Sequence, residues 1–294
     1  MQRPQIFTGD ILILLTTAIF GSYPLFFRLY PGIHPLTFVF AFQIVGAAAF
    51  LIMAGGGFPR LIRKDWALLL TLAIVAIAND ILYFTAIQLT TVANAAVSHQ
   101  SVSIFLIFLA PLLLKEKTQR DEWIALTVSI LGIFVLYRGG LGFDAMQDFI
   151  GLSAGILSGL FLALLIILYR VIPDKERGLN IRIVNFWRYS MSAVILLPFT
   201  PLMGVTTLNT VSIAPLVAFG VLFAVIASGI DTFALNITRA LHASILKKSE
   251  PVFAIIYAFF ILNEYPTLEV VVGGALIIGP GIWLAYRKRE KSHA

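Results

Sequence analysis

Three polar clusters interrupt the apolar stretches of this sequence. Asn79, Asp80 and Tyr83 stand together in one, and His99, Gln100 and Ser103 in the next. Ser228 and Asp231, followed by Lys247, Lys248 and Glu250, make the third. On a helix, Asn79 and Tyr83 share a face at a spacing of four, as do His99 and Ser103, while Lys247 and Glu250 are close enough to pair. The clusters hold acceptors for a cation (Asp80 or Asp231) and donors for an anion (Lys248, His99 or Gln100), with aromatic walls available from Phe20, Tyr83, Trp187 and Tyr257. A small dipolar ligand needs that inventory, a few polar groups set against apolar surface. Each group also has a plainer reading. Lys247 and Lys248 lie about two turns from a helix end, where snorkelling or pairing with Glu250 would occupy them. Asp80 and Asp231 could pair with a cation such as Arg188, and His99 is either a proton relay or bonded to a backbone carbonyl.

Other chemistries find no support. The sequence carries no phosphate-binding GxxxxGK[ST] loop, no HExxH and no GxSxG. It has no cysteine, which removes disulfides and Cys-based metal or redox sites. No catalytic residue, metal site or cofactor is therefore expected, and any energy used must come from gradients.

The elements that hold these clusters follow from composition. Of 294 residues, 59% are hydrophobic and 12% charged, and the mean hydropathy is +0.94. Soluble domains sit nearer half apolar and a quarter charged. The apolar residues come in blocks of about 18 to 25, the length that crosses hydrocarbon as a helix. Breaks at Pro, Gly and charge place ten spans at 9–30, 35–54, 65–88, 92–114, 122–138, 150–171, 181–203, 212–237, 242–263 and 267–286. The first is read as a retained helix, because no small-residue cleavage pattern follows it. Polar residues inside such spans cost on the order of 2.5–3.5 kcal/mol each, so they turn toward a cavity or a partner.

Of the 21 Lys and Arg, sixteen fall on one side: Arg3, Arg60, Arg63, Lys64, Lys115, Lys117, Arg120, Arg170, Lys175, Arg177, Arg182, Arg239, Arg287, Lys288, Arg289 and Lys291. The other side holds Arg28 and Arg138. This bias predicts cytoplasmic N- and C-termini in a bacterial inner membrane, with the lipid bilayer as solvent. It also accounts for the net charge of +6, and no nucleic-acid patch is expected from cations scattered over short loops.

Shifted by about 142 to 148 positions, the chain repeats itself. Gly9, Arg28 and Pro31 fall on Gly151, Arg170 and Pro173, and the stretch 95–116 falls on 243–264, pairing Ser101 with Ser249 and Glu116 with Glu264. Each unit holds five spans. Five is odd, so the second copy enters from the opposite face. The expected fold is all-α, two inverted five-helix repeats around a central cavity: residues 1–138, a linker at 139–149, and 150–294. Pro24, Pro111, Pro251 and Pro280 are hinges or static kinks. Gly151, Gly155 and Gly159 form a small-residue ridge, read as packing within a monomer. Glu116 and Glu264 are read as structural clasps on loop amides or basic residues.

The segment from Leu246 to Glu264, LKKSEPVFAIIYAFFILNE, followed by Gly273-Gly274 and Gly279-Pro280-Gly281, resembles the hallmark of EamA-type members of the drug/metabolite transporter superfamily. A fainter copy ends the first half at Lys115-Glu116-Lys117. The overall pattern is most similar to aromatic amino acid exporters of the YddG type. That resemblance implies efflux of aromatic and other neutral amino acids by alternating access, with Pro111 and Pro251 as hinges and the site between spans one, three, four, six, eight and nine. Drugs or other small metabolites are the alternative cargo. A membrane-embedded enzyme, the alternative of another class, would keep a catalytic pair in one half only.

Overall fold

The computed structural model describes residues 3–53, 65–115, 119–139, 145–171, 181–202, 210–237 and 246–291. Helices α1 (Arg3–Gly21), α2 (Tyr23–Leu29), α3 (Pro35–Met53), α4 (Trp66–Leu89), α5 (Val92–His99), α6 (Val102–Leu114), α7 (Arg120–Gly139) and α8 (Ala145–Val171) are followed by α9 (Ile181–Leu196), which ends in a 3₁₀ turn, Leu197–Phe199. Next come α10 (Thr210–Gly220), a π-helical stretch Val221–Ala227, α11 (Ser228–Ile237), α12 (Glu250–Leu262) and α13 (Leu268–Lys291). These segments overlie the ten expected spans, with α1, α4, α7, α8, α10 and α13 running past the expected bounds at one end or both. Among the described residues six stretches are long and apolar enough to cross a membrane by themselves: Thr8–Leu29, Pro35–Met53, Trp66–Leu89, Val92–Leu114, Met146–Tyr169 and Ile213–Asp231. Helix α9 falls short because Arg182, Asn185 and Arg188 interrupt it, and α7 because Arg120, Asp121, Glu122 and Arg138 gather at its ends.

Outward surfaces are apolar, as a lipid solvent requires. Ile52, Leu112, Phe134, Phe260 and Leu268 are all more than two-thirds exposed, and no water-soluble fold would leave such a belt bare. The protein is a multi-pass membrane protein.

Among the described residues three expected spans are divided, each upstream of an expected proline. The first breaks at Ser22, whose hydroxyl donates to the Ile19 carbonyl at 2.6 Å. The fourth breaks at Gln100–Ser101, where the Ser101 hydroxyl donates to the Ile156 carbonyl of α8 at 3.1 Å. The ninth breaks at Lys248–Ser249. Pro111 lies inside an unbroken α6, and Pro251 sits in the first turn of α12, where a missing N–H costs nothing. The breaks lie ten residues before Pro111 and two before Pro251, so both candidate hinges stand downstream of them, and His99 and Ser103, on either side of one, share no helical face. Lys115 (φ 56°) ends α6 and Asn263 (φ 55°) ends α12 in the left-handed region that closes helices.

The closest helix pairings are α4 with α8, α7 with α13, and α3 with α9. Close approach to α8 depends on its glycine ridge. A Cβ at Gly151 would meet Thr90, and one at Gly155 would meet Ser98. A Cβ at Gly159 would stand 2.8 Å from the His99 carbonyl oxygen and 2.9 Å from the Val102 nitrogen, backbone atoms that cannot swing aside. The ridge is used inside the monomer. Gly159→Leu is expected to destabilise the protein by about 1–3 kcal/mol, the range for overpacking a filled site, read as a lower thermal midpoint in detergent; an unchanged midpoint would contradict this packing.

Candidate functional site

A cavity of about 420 Å³ lies between the helices. Its walls come from α1 and α2 (Thr17, Phe20, Tyr23), α3 (Phe42), α4 (Asn79, Asp80, Tyr83), α5 (His99), α8 (Leu162, Leu165, Ile166, Tyr169), α9 (Arg188, Tyr189), α11 (Ser228, Asp231) and the break before α12 (Lys247, Glu250). Spans two and seven therefore join the six expected to line it.

Each side chain is positioned by a specific contact. Asp80 accepts from Gln43 Nε2 at 3.0 Å and from Asn79 Nδ2 at 3.1 Å. The His99 ring stacks on Tyr83 with centroids 4.3 Å apart, and its Nδ1 lies 2.6 Å from Ser158 Oγ. Ser158 donates its own hydroxyl to the Gly155 carbonyl at 2.6 Å, which leaves its oxygen free to accept from an Nδ1 that carries a proton. This hydroxyl, rather than the expected backbone carbonyl, holds His99. Asp231 accepts from Lys247 at 2.6 Å and lies 3.3 Å from the Thr16 hydroxyl. The expected Lys247–Glu250 pair is replaced by this one, which ties α11 to the start of the ninth span.

Phe20, Asn79, Asp80, Tyr83, His99 and Asp231 are thus brought together as read from the sequence. Five others are not. Lys248 turns away and donates to Ser103 Oγ at 2.5 Å and Gln100 Oε1 at 3.4 Å, joining the two broken spans. Gln100 and Ser103 belong to that contact and not to the cavity wall. Trp187 packs edge-on to Phe186 with centroids 5.2 Å apart, and Tyr257 stacks on Phe253 at 6.4 Å; neither reaches the cavity. The lining the sequence did not single out is largely aromatic: Tyr23, Phe42, Tyr169 and Tyr189. Arg188, read only as a partner for Asp80 or Asp231, lines the cavity with its guanidinium carbon 3.9 Å from the Tyr189 ring centroid. Among the described residues no cluster of metal ligands forms.

The cavity occupies one half of the bundle. On α8 it touches 162–169, whereas Asp148, fourteen residues and about 20 Å before the first of these, accepts from the Thr90 hydroxyl at 2.7 Å. At that far end Arg28 donates to the Thr90 carbonyl at 2.5 Å and pairs with Glu264 at 3.5 Å. Glu264 also accepts from the Val92 N–H at 2.8 Å, capping α5 together with the Thr91 hydroxyl. The clasp expected of Glu264 is present, while Glu116 lies outside the described residues. Between cavity and clasp, Tyr23, Phe27, Phe38, Phe84, Phe219 and Phe223 pack ring against ring. The far rim is wetter, with the Lys247 side chain 42% exposed.

Known proteins share both sequence and shape with this chain. Two Archaeoglobus fulgidus proteins described as uncharacterized transporters are each 24% identical, over 95% and 96% of this chain and 97% and 98% of their own. A Clostridium kluyveri protein described in the same words is 24% identical over 97% of this chain and 95% of its own. A crystal structure of a protein 15% identical in sequence superposes with a TM-score of 0.62, covering 95% of this chain and 97% of the other, a likeness of fold. The EamA-like transporter family is matched at residues 7–138 and again at 149–287, and over those two stretches, nearly its whole length, the chain belongs to that family.

Proposed function

We propose that this transporter exports amino acids, aromatic and other neutral ones, from the cytoplasm of a bacterial inner membrane by alternating access, as a monomer. The observation that carries the reading is the cavity, whose volume suits a small molecule. It joins six aromatic rings (Phe20, Tyr23, Phe42, Tyr83, Tyr169 and Tyr189) to charged groups of both signs. Amino acids with apolar side chains need both. A hydrophobic drug needs only the rings, and a phosphate ester needs more cations than this wall supplies.

Two inverted five-helix repeats, 1–138 and 150–294 around a linker at 139–149, would provide the rocking halves. Supporting this, the family matches twice. A shift of 148 positions also carries the break at Gln100–Ser101 onto Lys248–Ser249, and left-handed Lys115 onto Asn263. Contacts follow the same exchange: α4 with α8 is matched by α11 with α1. With both termini cytoplasmic, as the Lys and Arg bias supports, the Lys247 rim faces the cytoplasm and the Arg28–Glu264 clasp the outside.

Counterflow of radiolabelled phenylalanine, then methionine and threonine, into proteoliposomes tests the proposal. Label is expected to accumulate well above empty vesicles, and Tyr83→Ala, which removes the ring supporting His99, is expected to cut uptake about tenfold, as loss of one stacking partner worth roughly 1.5 kcal/mol would. Movement of a hydrophobic drug with no amino acid moving would replace the proposed cargo.

A further inference from the structure

The charges at the cavity fall into two groups. Asp231 and Lys247 neutralise one another at 2.6 Å, and Glu250 beside them stands in the first turn of α12, where the helix dipole favours a carboxylate. Asp80 and Arg188 differ. The Asp80 carboxylate accepts from the neutral amides of Gln43 and Asn79 and feels the Arg188 charge across the cavity. The Arg188 guanidinium lies over the Tyr189 ring, and its Nε is buried without a hydrogen-bond partner. Among the described residues neither has an opposite charge at ion-pair distance, although both line the same cavity.

Holding two opposite charges apart at membrane depth is costly, and a fold keeps them so where something else bridges them. We infer that Arg188 receives the carboxylate and Asp80 the ammonium of one bound amino acid, whose side chain then lies against Phe20 and Tyr83. This rests on the exporter reading and replaces Lys248 and Gln100, which the structure turns away from the cavity, as candidate carboxylate donors. A guanidinium suits the role because its planar fork can give a carboxylate two parallel hydrogen bonds. The amides behind Asp80 fix its orientation while leaving lone pairs for an ammonium. The selectivity that follows is for dipolar ions carrying both groups on one carbon, over amines or acids carrying one.

The test is competition against labelled phenylalanine in proteoliposomes by phenethylamine, which lacks the carboxylate, and 3-phenylpropanoate, which lacks the ammonium. In the native protein each is expected to compete at least about tenfold more weakly than unlabelled phenylalanine, the worth of one charge-assisted bond. Arg188→Gln is expected to erase the advantage of phenylalanine over phenethylamine while phenethylamine still competes, which shows that the variant is folded. Asp80→Asn is expected to erase the advantage over 3-phenylpropanoate. Arg188→Lys, keeping charge but losing the fork, falls between. Phenethylamine competing as well as phenylalanine in the native protein would overturn the assignment, as would an Arg188→Gln variant that leaves the ratio unchanged. Amino acid transport with unaltered ratios sinks this assignment alone; a native protein that moves no amino acid sinks the exporter reading and the assignment together.

Discussion

Glu264→Ala is expected to unlock the sealed end of the bundle and expose rings that the native protein hides. Glu264 makes two contacts across helices, accepting from the Val92 N–H at 2.8 Å and pairing with Arg28 at 3.5 Å. Arg28 in turn holds the Thr90 carbonyl, while the Thr90 hydroxyl bonds Asp148 and accepts from Asn94 at 2.8 Å. One carboxylate thus joins the ends of α2, α4, α5, α8 and α12. The Arg28 and Glu264 side chains are 32% and 21% exposed, so the ion pair alone is worth little. The charge-assisted bond to a helix N–H adds more, and loss of both is expected to cost the closed state about 1.5–3 kcal/mol. On a two-state equilibrium that is tenfold or more in population.

The chain has no cysteine, so a single Phe26→Cys, at the ring packed 5.4 Å from Phe219 and 5.6 Å from Phe223, reports without background. A charged thiol reagent added from the clasp side is expected to label it about tenfold faster in the Glu264→Ala protein than in its parent. Arg28→Ala is expected to do much the same, and the double variant little more, because the two residues act as one contact. Equal labelling in all of them would mean that the aromatic packing alone closes this end.

What was legible in the sequence and what was not divide along a physical line. Span positions were readable because hydrocarbon thickness fixes a block length whatever the fold does later. The clusters at Asn79, Asp80, Tyr83 and His99 were readable because a polar side chain in lipid must turn inward. Partners were not. Lys247 has Glu250 three residues away, yet it takes Asp231 across the bundle, a choice that depends on how α11 meets the ninth span. Lys248, one residue on, points instead at Gln100 and Ser103, because the turn at 248–249 ends the regular helical progression. Prolines drew attention as hinges, but a proline in a first turn starts a helix and does not bend one. Serines at the actual breaks give no such signal in an apolar run. Tyr23, Phe42, Tyr169 and Tyr189 stayed hidden for another reason: rings that line a cavity and rings that meet lipid have the same composition and spacing, and only the packed structure separates them.

Tyr23→Ala is expected to act on both the stability of the protein and its closure. It stands where the cavity meets the aromatic seal, with centroid distances of 4.7 Å to Phe219, 4.8 Å to Phe223, 5.2 Å to Phe84, 5.8 Å to Phe27, 6.3 Å to Tyr83 and 6.4 Å to Phe42. Three of these neighbours, Phe84, Phe219 and Phe223, are at most 1% exposed, so nothing around the ring is free to fill its place. Tyr23 is itself only partly buried, so Tyr23→Ala should cost about 2–3 kcal/mol, below the roughly 3–5 kcal/mol for deleting a fully buried aromatic. It should also leave a passage from the cavity toward the clasp. Tyr23→Phe keeps every ring contact and is expected to stay within about 1.5 kcal/mol, as volume-conserving changes do. Thermal melts in detergent read the first quantity. The second is read as passive leak of preloaded phenylalanine from proteoliposomes, expected to rise with Tyr23→Ala and not with Tyr23→Phe. A destabilised Tyr23→Ala protein that stays tight would assign this ring to packing alone and leave closure to its neighbours on α10 and the π-helical stretch.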